Sequence, residues 1–304
     1  MLYVTTRDDR TTYTSEQALG ERRAPDGGFY IPYRIPRFSR EEMCSLRRMT
    51  PCDRILSVAR RFLRLPDGAF GSVDEYVRLR RVGSKISVCE IFPGCGSSLY
   101  EYTSRIMRRL GYDDASDPVW LALSIRIGAI VSAVIDMARA NERFDISMVF
   151  GDAFAPVSAY LVREMGLPVG NILCCCNENS GFWELLHHGA FRTDRIALRS
   201  DIPEADVAIP DGLESLIALC CGREEVMRYI DAVRGGALYV PTEEAFLRLR
   251  SLFRAAVVTG DGLLRGAHMH MGVPVGRGTA LALAGLLDYR ARNGMGRPTL
   301  VIAE

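Results

Sequence analysis

Lysine is almost missing from this sequence, because Lys85 is the only one among 304 residues. A reaction that bonds a carbonyl group to a side-chain amine therefore has one candidate residue. Arginine supplies the other positive charges, 38 basic residues face 37 acidic ones, and the net charge is +1. This balance does not indicate a basic surface for nucleic acid.

The sequence also lacks the cysteine spacing of a disulfide framework and has no recognisable signal peptide. Its nine cysteines include two apolar runs, 174–176 and 220–221. Such runs are typical of buried thiols in a reducing compartment, so we expect a cytoplasmic protein. The longest apolar stretch, 119–138, contains Arg126 and Asp136. It predicts a buried helix with a polar edge and no membrane contact.

Composition and pattern indicate an α/β protein. With 48% hydrophobic residues the chain can bury one large core. From Ile86 onward, short β-branched runs alternate with helical patterns, which predicts a parallel sheet with helices on both faces. Residues 1–65 contain amphipathic runs, so we expect an N-terminal helical layer on a core of residues 66–304. Predicted strands cover 86–91, 147–150, 171–175, 255–258 and 299–302, and predicted helices cover 40–48, 52–65, 99–110, 118–141, 154–166, 180–188 and 278–292.

Four blocks of sequence, in a fixed order, carry a family resemblance. They are Ala-Pro-Asp-Gly-Gly-Phe-Tyr-Ile-Pro at 24–32 after Thr5-Thr6-Arg7, Cys-Glu-Ile-Phe-Pro-Gly at 89–94, a Met-Gly-Leu-Pro turn and Asn-Glu-Asn loop within 160–189, and Gly-Thr-Ala, Asp-Tyr and Arg-Pro-Thr-Leu-Val within 278–301. Together these blocks resemble the threonine synthases, which are pyridoxal-phosphate enzymes of fold type II. The resemblance implies a core like the large domain of threonine synthase and of tryptophan synthase beta-like enzymes.

The same resemblance implies a lysine that bonds the cofactor as a Schiff base, within a Phe-Lys-Asp tripeptide. This chain has Leu99-Tyr100-Glu101 at that place. A phenol cannot form a Schiff base, so Tyr100 replaces the expected amine. Tyr100 could instead donate a proton, or be a packed aromatic side chain. Lys85 precedes a predicted strand and is expected to be a solvated edge residue.

Other departures fall on the cofactor-binding parts. The family's phosphate-binding Gly-Asn-Phe-Gly-Asn loop corresponds here to Gly151-Asp152-Ala153-Phe154-Ala155, followed by Pro156. Asp152 adds negative charge and Pro156 removes a backbone donor, which disfavours phosphate. Only about two dozen residues separate Tyr100 from Ser124, where the family inserts a small domain. The chain also ends before the family's Ser-Thr-Ala segment. We therefore expect the small domain to be missing and no cofactor to bind.

The resemblance leaves a degenerate cleft made of Gly151, Asp152, Phe154, Asn177, Glu178 and Asn179. Residues 177–179 follow a predicted strand, where ligands usually bind. Asn179 could equally be the N-cap of the helix 180–188, and both readings stay open. Ser97 and Ser98 could cap a helix or bind an anion. His268 and His270 have a spacing that can chelate zinc, but no third ligand is identifiable, so no metal is predicted.

Three hypotheses for function follow. The first is a threonine synthase-like protein that has lost catalysis and acts in binding, regulation or scaffolding. The second is an active lyase on O-phosphohomoserine, in amino-acid biosynthesis, that uses Lys85 or a lysine of another chain. The third is a metal or thiol enzyme using His268, His270 and the cysteines. A missing small domain would expose apolar surface, so we expect a homo-oligomer or a complex with another enzyme, and no membrane partner.

Overall fold

The computed structural model describes residues 1–70, 77–83, 85–91, 99–113, 116–137, 142–259, 275–294 and 296–303. The strands in this part of the chain are β1 (Leu2–Thr5), β2 (Tyr13–Thr14), β3 (Tyr30–Pro32), β4 (Val77–Gly83), β5 (Ile86–Ile91), β6 (Phe144–Val149), β7 (Val169–Cys176), β8 (Phe191–Arg192), β9 (Leu238–Tyr239), β10 (Phe253–Val257) and β11 (Thr299–Ala303). The helices are α1 (Ser15–Gly20), α2 (Arg40–Arg48), α3 (Pro51–Ala59), α4 (Leu99–Arg109), α5 (Val119–Met137), α6 (Phe154–Glu164), α7 (Gly181–His188), α8 (Gly212–Cys221), α9 (Arg223–Gly235), α10 (Glu243–Leu252) and α11 (Arg277–Asn293).

A six-stranded sheet forms the centre of the protein, in the order β10-β7-β6-β11-β5-β4. All pairs are parallel except β4 with β5. Side chains alternate between two buried faces: Cys174 and Cys176 pack with α5 and α6, whereas Leu173 and Cys175 pack with α11. The predicted α/β class, with helices on both faces of a mainly parallel sheet, is confirmed.

Strand β4 was not predicted, although its sequence, Val-Arg-Leu-Arg-Arg-Val-Gly, begins with alternating apolar and charged residues. That pattern suits an edge strand, which is buried on one face only. Arg78 and Arg80 both pair with Glu90 on β5, at 3.7 and 3.3 Å. Charge pairing across the strands therefore contributes to the position of β4.

Helix α5 lies in the core, as predicted. By length and composition it could cross a membrane, but 83% of its most apolar window is buried inside the protein. Gly128 allows α3 to approach, because a Cβ atom there would lie 2.8 Å from the Cα of Ile55. Residues 110–118 join α4 to α5, which leaves no room for an inserted small domain at this point.

The N-terminal residues form a mixed layer and not a purely helical one. Strands β2, β1 and β3 make an antiparallel sheet beside α1, α2 and α3. These strands have two to four residues, too few for a period-two pattern to be detected in the sequence. The boundary near Leu65 remains a prediction.

The two parts of the first family-like block, residues 5–7 and 24–32, pack together in this layer. The Thr5 hydroxyl donates to the Asp26 carboxylate, and Asp26 Oδ1 accepts from Gly28 N at 2.8 Å. Gly27 has φ +77°, and a Cβ there would lie 2.8 Å from Arg7 Nη1. Arg7 in turn makes two hydrogen bonds to Glu214 of α8, at 3.0 and 2.9 Å. These blocks therefore have a structural role, which is to join the layer to α8.

Candidate functional site

A cavity of about 370 Å³ lies at the carboxyl ends of β6 and β11. Its wall includes Val149 and Gly151 at the end of β6 and Ile302 on β11. The first turn of α11 contributes Gly278 and Thr279. Ligands of parallel α/β folds bind at this edge of the sheet, and the volume falls within the usual range for small-molecule sites, about 300–1,000 Å³.

The loop after β6 is only partly suited to an anion. Gly151 and Asp152, two residues of the expected cleft, line the cavity. Asp152 Oδ1 accepts the Phe154 N–H at 2.9 Å, which uses one of the first donors of α6, and Pro156 has none. Ala153 has φ +64°, a left-handed conformation that is unfavourable for a residue with a Cβ.

Phe154 does not belong to the cavity, contrary to the predicted cleft. Its ring is 4% exposed and packs edge to face against Phe29, with 5.7 Å between centroids. Phe154 is the first residue of α6, and its side chain points towards Phe29 in the N-terminal layer. Phe154 therefore contributes to packing between the N-terminal layer and the core.

Arg126 is a cavity residue that the sequence did not identify as one. It belongs to α5, it is 6% exposed, and it lines the cavity together with the start of α11. The only signal in the sequence was a charge inside an apolar helix. An arginine side chain carries a positive charge and several N–H donors, so Arg126 adds a charged group to a wall that is otherwise mostly apolar.

Tyr100 lies in the first turn of α4, and the described cavity wall does not include it. The ring is 48% exposed. Desolvation and the nearby negative charge of Asp117 raise its pKa, against the influence of Arg22. Arg22 itself pairs with Asp117 at 2.8 Å and Asp211 at 2.6 Å. Tyr100 therefore lies beside a surface ion-pair network and is not placed as a proton donor to the cavity.

Lys85 lies at the amino-terminal end of β5, whereas the cavity lies at the carboxyl ends of the parallel strands. It precedes β5, is exposed, and its Nζ donates to the carbonyl oxygen of Gly296 at 3.4 Å. A six-residue strand spans about 20 Å, and the cavity is at the other end of the neighbouring parallel strands. Lys85 is therefore a solvated edge residue in this structure.

Asn177 and Asn179 bind a neighbouring loop of the protein itself. Both side-chain amides donate to Asp206 Oδ1, at 2.7 and 3.1 Å, and Asn179 also exchanges two hydrogen bonds with Leu198. Partial burial disfavours the charged carboxylate, but hydrogen bonds from Ser200 and the two amides outweigh this effect and lower the pKa of Asp206. This network fixes a loop that lines both the cavity and an open groove of about 590 Å³.

The alternative reading of Asn179 as the N-cap of α7 is wrong. Ser180 is the N-cap, and its hydroxyl accepts the Trp183 N–H at 3.4 Å. Asn177, Glu178 and Asn179 line the open groove, whereas Gly151 and Asp152 line the cavity. The predicted cleft is thus divided between two separate sites.

The thiol and metal hypotheses gain no support from the described residues. Burial raises the pKa of Cys175, Cys176 and Cys221 to about 12, and also raises the pKa values of Cys174 and Cys220. Thiols with such pKa values are poor nucleophiles at neutral pH. No group of three or more potential metal ligands was found in the part of the chain that is described. Ser97, Ser98, His268 and His270 lie outside the described residues.

Comparisons with known proteins agree with this fold. The family model for the threonine synthase N terminus matches residues 2–72. A search of curated proteins found no match. The chain is similar to the solved structure of PLP-bound threonine synthase from Brucella melitensis, with a TM-score of 0.85 and 16% identity over 100% of this chain and 88% of that one.

Two further threonine synthase structures are similar. The yeast enzyme has a TM-score of 0.77 and 14% identity over 99% of this chain and 86% of that one. The Escherichia coli enzyme has a TM-score of 0.71 and 13% identity over 100% of this chain and 87% of that one. The chain therefore has the threonine synthase fold, as its sequence blocks predicted.

The expectation that no cofactor binds is contradicted by these comparisons. The Brucella melitensis structure contains PLP on a fold that this chain matches over its whole length. The expectation rested on Tyr100, on the loop at 151–156, on the small domain expected to be missing and on the family's Ser-Thr-Ala segment, whereas the structure retains a cavity at the carboxyl ends of β6 and β11. The expectation is therefore corrected, because a protein with this fold binds PLP in the Brucella melitensis structure.

Proposed function

We propose that this chain, which has the threonine synthase fold, binds pyridoxal phosphate without a covalent bond and has lost the family's lyase reaction. The single observation that carries the proposal is the position of the only lysine. Lys85 lies at the amino-terminal end of β5, away from the cavity at the carboxyl ends of the strands, and Tyr100 has no amine. A further copy of this chain would bring only another Lys85.

The cavity fits the cofactor in two respects. Its volume of about 370 Å³ suits a small ligand, and Arg126 adds a positive charge to its wall. The start of α11 adds backbone donors at Gly278 and Thr279. When bound, pyridoxal phosphate supplies an electron sink for chemistry at the amino group of a substrate, and the family's enzymes also use the amine of a protein lysine to hold the cofactor and to move protons. The described residues of the cavity bind and orient a ligand and do not provide this amine.

A titration combined with a product assay tests the proposal. The protein is titrated with pyridoxal phosphate by calorimetry, and release of phosphate from O-phosphohomoserine is followed in the presence of saturating cofactor. We expect saturable binding and no phosphate release above a protein-free control. Enzymatic phosphate release would support the alternative, an active lyase, and a lack of binding would refute the proposed function.

We extend the proposal to location and assembly. Free, buried cysteines support a reducing compartment such as the cytoplasm.

Exposed apolar side chains at Leu238, Val240 and Leu247 support contact with a second copy or another enzyme. Light scattering of the purified protein, alone and with cell extract fractions that contain pyridoxal-phosphate enzymes, tests this assembly.

A further inference from the structure

We infer that Ser215 on α8 binds one buried water molecule, in a small cavity between the N-terminal layer and the core. This site is separate from the larger cavity at the carboxyl ends of β6 and β11, and it does not depend on the proposed function. Ser215 is 3% exposed, and its Oγ has no hydrogen-bond partner among the residues that the structure describes.

A buried hydroxyl group needs a partner. Burial without a hydrogen bond is unfavourable, and nearly all buried polar side chains of folded proteins bind either another protein group or an ordered water. Ser124, a buried serine of α5, shows the first solution, because its hydroxyl donates to the Leu121 carbonyl oxygen at 2.9 Å. Ser215 lacks such a bond and is therefore a candidate for the second solution.

A cavity of the size of one water molecule lies beside the Ser215 hydroxyl. It has a volume of about 10 Å³, and Ser215 belongs to its wall. A volume of about 10–15 Å³ is the least that holds a water molecule, so the cavity excludes any larger ligand. Apolar side chains make most of the wall, among them Ala18, Phe29, Trp120, Leu123, Phe154 and Val157.

The same wall supplies further polar groups for a water. Asp117, Glu21 and Arg22 line the cavity together with Ser215, and Asp117 is 8% exposed. A buried water makes about three hydrogen bonds, and it can both accept and donate. A water bonded to the Ser215 hydroxyl therefore has carboxylate acceptors and a guanidinium donor in the same small space.

The orientation of α8 explains why Ser215 faces this cavity. Positions three and four residues apart lie on one side of a helix. On this side, Asp211 pairs with Arg22 at 2.6 Å and Glu214 pairs with Arg7 at 2.9 Å. Ser215 follows next on the side of α8 that faces the N-terminal layer. A water at Ser215 would be a third link between α8 and the layer.

Arg22 covers the cavity on the solvent side. Its side chain is 38% exposed, and its guanidinium pairs with Asp117 at 2.8 Å and with Asp211 at 2.6 Å. These ion pairs join the N-terminal layer to the start of α5 and to α8. We expect water exchange to require that they open, so the bound water should stay much longer than a surface water.

Crystal structures and magnetic relaxation dispersion of water test the inference on the whole protein. Wild type is compared with Ser215→Ala and with the matched control Ser124→Ala, which removes a buried helical hydroxyl that already has a protein partner. We expect electron density for a water about 2.5–3.0 Å from Ser215 Oγ. Ser215→Ala should lower the number of long-lived waters by one, and Ser124→Ala should leave it unchanged. Arg22→Gln should keep the water and shorten its residence time by about twofold or more.

Two results would overturn the inference. One is a Ser215 hydroxyl bonded to a backbone carbonyl of the preceding helical turn, with no water density in the cavity. The other is an equal number of long-lived waters in wild type and Ser215→Ala. If Ser215→Ala does not fold, the wild-type crystal structure still decides. A water at Ser215 with an unchanged residence time in Arg22→Gln would support the site and refute the covering role of Arg22.

Discussion

Removal of the Glu214 carboxylate should loosen the N-terminal layer from the core. The Glu214 side chain is 6% exposed, accepts from the Thr6 hydroxyl, and pairs with Arg7 at 2.9 Å. Glu214→Ala leaves the Arg7 guanidinium without its carboxylate, and loss of one partner of a buried pair costs about 3–5 kcal/mol. Because the Arg7 side chain keeps 19% exposure, we expect the lower end, about 3 kcal/mol.

Equilibrium unfolding in urea measures this change. The double variant Glu214→Leu with Arg7→Met should be less destabilised than Glu214→Ala, because no charge is left unpaired. Glu224→Ala, at an exposed position of α9, is the control and should change the free energy of unfolding by about 0.5 kcal/mol or less. A loss below about 1 kcal/mol for Glu214→Ala would show that the pair behaves as a surface ion pair and would refute the reasoning.

Three further substitutions test other parts of the account. Gly285→Ala places a Cβ 2.5 Å from Cys175 Sγ, so it should cost about 1–3 kcal/mol in urea unfolding, and added Cys175→Ala should recover part of this. Asp206→Asn should be less stable than wild type at pH 7. Because the folded-state pKa of Asp206 is lowered, the difference should begin to shrink as pH falls below the unfolded value of about 3.9 and should be lost as pH falls through the folded-state pKa, and a constant difference down to pH 2 would contradict this. Tyr100→Lys changes a half-exposed side chain outside the described cavity wall, so it should alter stability by about 0.5 kcal/mol or less and give no borohydride-stable cofactor adduct.

Elements with strong local signals were predictable. Helix α2 has the predicted bounds because Ser39 and Glu42 form a capping box at its start. Strands β5 and β7 are buried on both faces, so they read as continuous apolar runs. The short strands of the N-terminal layer depend on pairing between distant segments, such as Tyr3 with Pro32, and have no pattern of their own.

The site was less predictable because side-chain directions and long-range partners decide it. The order of the strands places Gly151 and Asp152 at the cavity, and the sequence blocks anticipated this. The partner of Asn177 and Asn179 is Asp206, which lies 29 and 27 residues further on in a loop without a sequence signal. Arg126 could be recognised as polar in an apolar helix, but only the fold shows which cavity it lines.

The most direct test of the central claim is reduction of the cofactor complex with borohydride, followed by mass spectrometry of the intact protein and its peptides. The protein is first saturated with pyridoxal phosphate, and binding is measured before reduction. The account predicts saturable binding and an unmodified mass after reduction, because no amine lies at the cavity. Stoichiometric attachment of the cofactor at Lys85 would contradict it.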